Sequence, residues 1–326
     1  MDYRPVGRTE MKVSAISFGC WTMGGLNWVN GIPNGWANVD EEEVKAGIKA
    51  GLDAGVNHFD NADVYGNGRA ERLLAKLLKE LGVGSDSLLI ATKLGHFRGT
   101  AEHAYHPFHI RRQCEQSLIN LQRETVDIYY FHHGDFGPND QWLDDAVATM
   151  EALMQEGKIR AVGLSAYSAE HFLRLAPKIR PAVLQSWAHA LDDQYIRAGS
   201  PVDRLMEELG MTFVAFSPLA QARLLDKFNP NAMPEFEPGD MRQNHQSFKA
   251  EAIAALAPKL ARLKERFGST TEELAAMALN YVLAAPRVAC AIPGFRNERQ
   301  ARCNVGAATR TLTADDAQFI REVCMP

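Results

Sequence analysis

VDIYYFHHGDFGPNDQWLDDAVATMEALMQEGKIRAVGLSA, residues 126–166, sets two short apolar runs on either side of an amphipathic one. VDIYYFH (126–132) and IRAVGLSA (159–166) read as strands, and WLDDAVATMEALMQEG (142–157) between them as a helix. A strand–helix–strand order of this kind implies parallel strands joined by a crossover helix. The same alternation continues in both directions. Upstream, SAISFG (14–19) is followed, after a long loop, by DEEEVKAGIKAGLDAG (40–55), with Asp40 placed as N-cap. NHFDNA (57–62) leads to AERLLAKLLKELG (70–82), and SLLIATK (87–93) to a helix opening at Pro107. Downstream come SAEHFLRLAP (168–177), then AVLQSWA (182–188) with PVDRLMEELG (201–210). MTFVAFS (211–217) precedes an irregular stretch and helical material over about 250–285. VACAIPG (288–294) precedes NERQARCNVGA (297–307).

Eight strand candidates, each followed by a helix, predict an α/β fold, a single (β/α)8 TIM barrel over residues 1–326. An open doubly wound sheet is the structural rival. The start, MDYRPVGRTEMKVS, alternates like an N-terminal β-hairpin and suits a plug at the barrel's bottom. Two long loops fall on the C-terminal face, where barrel chemistry takes place. Residues 20–39 carry Trp21, Trp28 and Trp36, which are candidates for the substrate pocket, and residues 218–249 are rich in Pro, Asn and charge.

Composition narrows the function classes. A net charge of −5 without a Lys/Arg block argues against nucleic acid as a partner. The five cysteines are scattered, odd in number and without a CxxC pair, which suits reduced thiols in a cytoplasmic protein. The N-terminus lacks the apolar core of a signal peptide, and no apolar run reaches membrane-spanning length, so no membrane partner is expected. A homo-oligomer is compatible with all of this.

Three consecutive strands end in Asp60, Lys93 and His132, and Tyr65 follows one short loop beyond Asp60. A phenol is a weak acid, with an ordinary pKa of about 10. An ammonium such as Lys93 would lower it, and Asp60 would keep that lysine charged and in place. His132 would orient a substrate oxygen. Together they suit proton delivery to a carbonyl that accepts hydride. Taken singly, each has a plainer explanation: a turn acid, a surface lysine, a core histidine, a packing tyrosine. Three successive strand ends make that a coincidence. A Schiff-base aldolase would use Lys93 as nucleophile, but Asp60 would hold it protonated. A metal centre is not expected: Pro107 interrupts His103, His106 and His109, and the adjacent His132 and His133 point to opposite sides of a strand.

At these residues the sequence resembles the aldo-keto reductases. FDNADVYGNGRAE (59–71), LLIATKLG (88–95), VDIYYFHH (126–133), VGLSAYS (162–168), FVAFSPLAQARLL (213–225) and AIPGFRNERQARCNVGA (291–307) carry the resemblance. It implies Tyr65 as general acid tuned by Lys93 and Asp60, with His132 as the family's histidine. It also implies a small-molecule carbonyl or alcohol as substrate. The cofactor would be a nicotinamide dinucleotide held across the barrel mouth without a GxGxxG fingerprint. Ser165 and Gln185 would meet the carboxamide, Phe216 would stack on the ring, and Ser217 and Leu219 would lie by the pyrophosphate. Arg296, Gln300 and Asn304 would lie at the adenosine end, where an arginine favours NADP(H), with NAD(H) as the alternative. Ala166 stands where the family has asparagine, which removes one carboxamide hydrogen bond. The sequence also resembles the branch containing potassium-channel β subunits, so a cofactor-binding redox sensor is the alternative to a working enzyme.

Overall fold

A computed structural model describes residues 1–325. β1 (Tyr3–Pro5) and β2 (Lys12–Ser14) form the expected antiparallel hairpin, with Tyr3 opposite Ser14. Val6, Met11 and Val13 of this hairpin share one apolar cluster with Ala91, Ile128, Val183, Val214 and Ala289. The turn therefore caps the end where the strands begin. Gly7 permits the approach: at φ +50° a Cβ there would sit 2.1 Å from the Ala182 carbonyl oxygen.

The order then runs β3 (Phe18–Gly19), β4 (Trp28–Val29), β5 (Ile32–Pro33), α1 (Glu41–Asp53), β6 (His58–Asp60), α2 (Arg69–Glu80) and β7 (Leu89–Leu94). It continues with α3 (Pro107–Leu121), β8 (Val126–Phe131), α4 (Leu143–Gln155), β9 (Ile159–Ser165), α5 (Ala169–Ile179) and β10 (Val183–Trp187). The last elements are α6 (Pro201–Leu209), β11 (Thr212–Phe216), α7 (Ala250–Phe267), α8 (Thr271–Leu283), β12 (Val288–Ile292), α9 (Glu298–Gly306) and α10 (Ala314–Cys324). β3 and β6 to β12 make one eight-stranded sheet in which sequence neighbours pair in parallel. Parallel bridges between Ile16 and Ala291, and between Gly19 and Gly294, bring the first strand to the last. The sheet closes into the (β/α)8 barrel.

Local chemistry explains the helix boundaries. The Asp40 side chain accepts from the Glu43 N–H at 3.0 Å, and Pro107 occupies the first turn of α3. The helical material over 250–285 forms two helices. Gly268, at φ +100°, ends α7, and Thr270 with Glu273 forms a capping box that starts α8. The first strand is shorter than SAISFG suggests, since only Phe18–Gly19 pair regularly. The tryptophan loop holds its own hairpin, β4 with β5, which sets Trp28 opposite Pro33.

Inside the barrel, glycine makes room for a large ring beneath the site. A Cβ at Gly163 would fall 2.3 Å from the Tyr130 ring, so only glycine lets Tyr130 lie across β9. No helix among the described residues is long and apolar enough to cross a membrane.

Candidate active site

Strand register assembles the first three groups. Asp60 ends β6 opposite Ala91, Lys93 in β7 faces Tyr130 of β8, and the His132 N–H donates to Leu94 O at 2.9 Å. The three strand ends thus meet on one side of the barrel mouth. Tyr65 arrives on the tight turn between β6 and α2, where Gly66, Asn67 and Gly68 all have positive φ.

Lys93 is the centre of the cluster. Its ammonium donates to Asp60 Oδ2 at 2.5 Å, to the Asn61 carbonyl at 2.6 Å and to the Tyr65 hydroxyl at 3.3 Å. The Gln185 amide donates to the other Asp60 oxygen at 2.8 Å, so both carboxylate oxygens are engaged. Burial pulls the Lys93 ammonium below the ordinary lysine value, and Asp60 opposes that pull.

The direction of the Tyr65 shift differs from the sequence-based expectation. Burial first, and the Asp60 charge second, push the phenol well above its ordinary value. The Lys93 charge is held at 2.5 Å by Asp60, so Tyr65 faces an ion pair rather than a bare cation. Trp21 stacks over the phenol with centroids 6.1 Å apart and removes water from it. Tyr65 is therefore a neutral phenol, and Lys93 stands where it can stabilise negative charge on that oxygen when charge develops.

His132 meets Tyr65 edge-on at 6.1 Å between centroids. Burial holds it well below the ordinary histidine value, with His96 next in effect, so the ring is neutral. Its Nδ1 is buried without a partner.

These groups face a cavity of about 910 Å³. Asp60, Tyr65, His132, Gln185, Phe216, Ser217, Leu219, Arg296, Gln300 and Asn304 all line it, as do Trp21 and Trp36. Lys93 and Ser165 lie just behind its surface, 0% and 1% exposed. Trp28 does not line it. It is half exposed and packs on Gly239, where a Cβ would come within 2.7 Å of the indole. Sequence reasoning missed His96, which lines the cavity two residues past β7. It also missed Arg242, whose guanidinium lies between Trp36 and Phe236 at 4.7 and 4.6 Å and pairs with Asp240. That clamp, together with backbone bonds from Gly35 to Gly239 and from Met241 to Gly35, fastens the two long loops to each other across the cavity. A histidine two residues past a barrel strand, or an arginine in an irregular stretch, carries no periodic signal.

The aldo/keto reductase family model matches residues 15–324. The chain belongs to the aldo/keto reductase family. This aldo/keto reductase is 26% identical over 313 residues to the L-galactose dehydrogenase of Arabidopsis thaliana, covering 95% of this chain and 88% of that one. It is likewise 26% identical to a "probable voltage-gated potassium channel subunit beta" of the same plant, covering 94% and 91%. Among solved structures it resembles the glycerol dehydrogenase AKR11B4 from Gluconobacter oxydans, at TM-score 0.79 and 25% identity, covering 99% and 94%. Membership makes the chemistry oxidoreduction between carbonyls and alcohols with a nicotinamide cofactor.

The cavity suits such a cofactor. The Ser165 hydroxyl is buried without a partner beside Gln185, its register neighbour, and Phe216 offers an aromatic face. Arg223, Lys227, Arg242, Arg296 and Arg299 supply positive charge along the walls. Ala166, next to Ser165, is fully buried.

Proposed function

We propose that this aldo/keto reductase is an NADP(H)-dependent oxidoreductase of aldehydes, ketones and the corresponding alcohols, with Tyr65 as general acid and base. One observation carries the reading: the Tyr65 hydroxyl lies 3.3 Å from the Lys93 ammonium, inside a cavity also lined by His132. Bound nicotinamide supplies the hydride in reduction and takes it in oxidation. Tyr65 gives its proton to the carbonyl oxygen as hydride arrives, and Lys93 offsets the negative charge left on the phenol oxygen. His132, being neutral, donates a hydrogen bond that holds the same oxygen. Asp60 anchors Lys93, and Gln185 anchors Asp60. In oxidation the phenolate takes the alcohol proton.

In this reading Ser165 and Gln185 bind the nicotinamide carboxamide and Phe216 stacks on its ring. Ser217 and Leu219 adjoin the pyrophosphate, and Arg296, Gln300 and Asn304 hold the adenosine end. NADP(H) is favoured over NAD(H) because Arg296 belongs to a basic wall able to pair with a 2′-phosphate. Trp21 and Trp36 wall the substrate end. Five cysteines without a disulfide support a reducing, cytoplasmic setting.

A second reading, a cofactor-binding regulatory subunit, is favoured by the similarity to the channel β subunit. NADPH consumption at 340 nm against aldehydes, ketones and sugars, alongside NADPH binding by fluorescence, separates the two. Turnover supports the oxidoreductase. Tight binding with no turnover in either direction supports the subunit.

A further inference from the structure

The first long loop carries a hairpin that the chemistry above leaves unused. Between β4 and β5 the chain turns through Asn30 at φ +50° and Gly31 at φ +78°, the paired left-handed residues that a type I′ turn needs. Val29 lies opposite Ile32, so their side chains share one face, and both line the cavity. Trp28, one residue back, takes the other face and packs on Gly239. The base of the hairpin is fixed. The Asn27 side chain donates to Val64 O at 2.9 Å, its backbone N–H to Gly239 O at 3.4 Å, and the Trp21 indole to Asn34 O at 3.0 Å.

Val29 and Ile32 continue an apolar wall that begins at the phenol. Trp21 stacks on Tyr65 at 6.1 Å, Trp36 meets Trp21 edge-on at 5.4 Å, and Asn34, held by Trp21, lies two residues beyond Ile32. The wall ends in water, since Ile32 is 67% exposed. No Asp, Glu, Lys, Arg or His occurs anywhere in residues 20–39. The charge on the cavity wall comes from other strand ends, with Asp192 after β10 and Arg223 and Lys227 after β11. An apolar side chain on a fixed turn, facing a cavity and unpacked, gains free energy when an apolar group covers it.

We infer that Val29 and Ile32 form a rim subsite for an apolar tail of the substrate, so the preferred carbonyls and alcohols carry a long alkyl group on the reacting carbon. This rests on the proposed oxidoreductase function. Val29 and Ile32 set specificity, and the proton transfer at Tyr65 does not need them.

The test measures kcat/KM for propanal, hexanal and nonanal with NADPH and the full-length protein. Values should rise by roughly two- to fourfold per methylene, the scale of burying one CH2 in part or in full. Ile32→Ser changes an exposed side chain, and Val29→Thr keeps the shape of the one it replaces. Each should lower kcat/KM for nonanal by roughly threefold or more through KM, leaving propanal within about twofold. Ile32→Leu should keep the wild-type slope. Adipic semialdehyde, which has the length of hexanal but ends in a carboxylate, should be the poorer substrate of the two.

A flat series, a slope unchanged in both Ile32→Ser and Val29→Thr, or a preference for the semialdehyde overturns the inference and leaves the oxidoreductase standing. Light scattering covers the other occupant of this face. A wild-type oligomer that Ile32→Ser splits, with the slope unchanged, gives the hairpin to a second copy and overturns the inference too. Wild type without turnover on any aldehyde or alcohol overturns both readings.

Discussion

Lys93 Nζ and Asp60 Oδ2 are 2.5 Å apart, with side chains 0% and 1% exposed. A pair this buried stabilises little on its own account, but losing one partner strands the other charge. Asp60→Ala should therefore lower the unfolding free energy by about 3 kcal/mol and strongly reduce turnover. Adding Lys93→Met should recover much of the stability and none of the activity. Urea unfolding of the two single variants and the double variant checks this, and simple additivity of the losses would contradict it.

The pH profile should reflect a neutral phenol and a neutral imidazole. Tyr65 is pushed above its ordinary value, so carbonyl reduction should hold level through neutral pH and up to about 10 before falling. Alcohol oxidation, which needs the phenolate, should rise with pH by about tenfold per unit over the same range. His132 is held well below the ordinary histidine value, so no break near 6.5 is expected. An alkaline fall in reduction centred well below about 10 would show Lys93 outweighing burial.

His58 gives the fold its own acid sensitivity. It is 0% exposed inside the barrel, its Nε2 has no partner, and burial lowers its pKa to about 4. Below about 6.5 the unfolded chain binds a proton here that the folded chain does not, so stability falls as pH drops. By pH 5 the loss from this group is on the order of 2 kcal/mol. Denaturant unfolding at pH 7.5 and pH 5 should show His58→Leu losing less than wild type by that amount. Equal losses would assign the sensitivity elsewhere.

Arg296 tests the cofactor preference. Its guanidinium donates to Ala37 O at 2.6 Å, and its own N–H is held by Gln300 at 2.8 Å. Arg296→Ala should weaken NADPH by roughly tenfold or more, the scale of a charged hydrogen bond, and NADH much less. Fluorescence titration with both cofactors reads this directly. Equal weakening would remove the reason for favouring NADP(H).

The barrel was legible because each buried parallel strand leaves a short apolar run between amphipathic helices, a pattern set by local sequence. Asp60, Lys93 and His132 could be placed together because strand ends share one face of a barrel whatever the loops do. What the sequence left hidden depends on long-range packing. Trp28 looks like Trp21 and Trp36 in a string of residues, yet β4–β5 pairing turns it to Gly239 and solvent. The direction of the Tyr65 shift is hidden too, because it depends on burial first and on the Asp60 charge second, and burial is set by packing that the local sequence does not show. His96 gains its place through its ring against His132, a contact between two different strand ends. Arg242 matters through two aromatic rings brought from separate loops.

The central claim is that Tyr65 moves the proton. Tyr65→Phe keeps the ring under Trp21 and removes only the hydroxyl. Pre-steady-state mixing of this variant with NADPH and a carbonyl that wild type turns over, beside an NADPH titration, measures chemistry and binding separately. The account predicts a loss of the hydride-transfer step by at least about a hundredfold, the scale of general acid catalysis, with NADPH affinity nearly unchanged. A variant that transfers hydride at close to the wild-type rate, or that loses NADPH affinity in step with its activity, would contradict it.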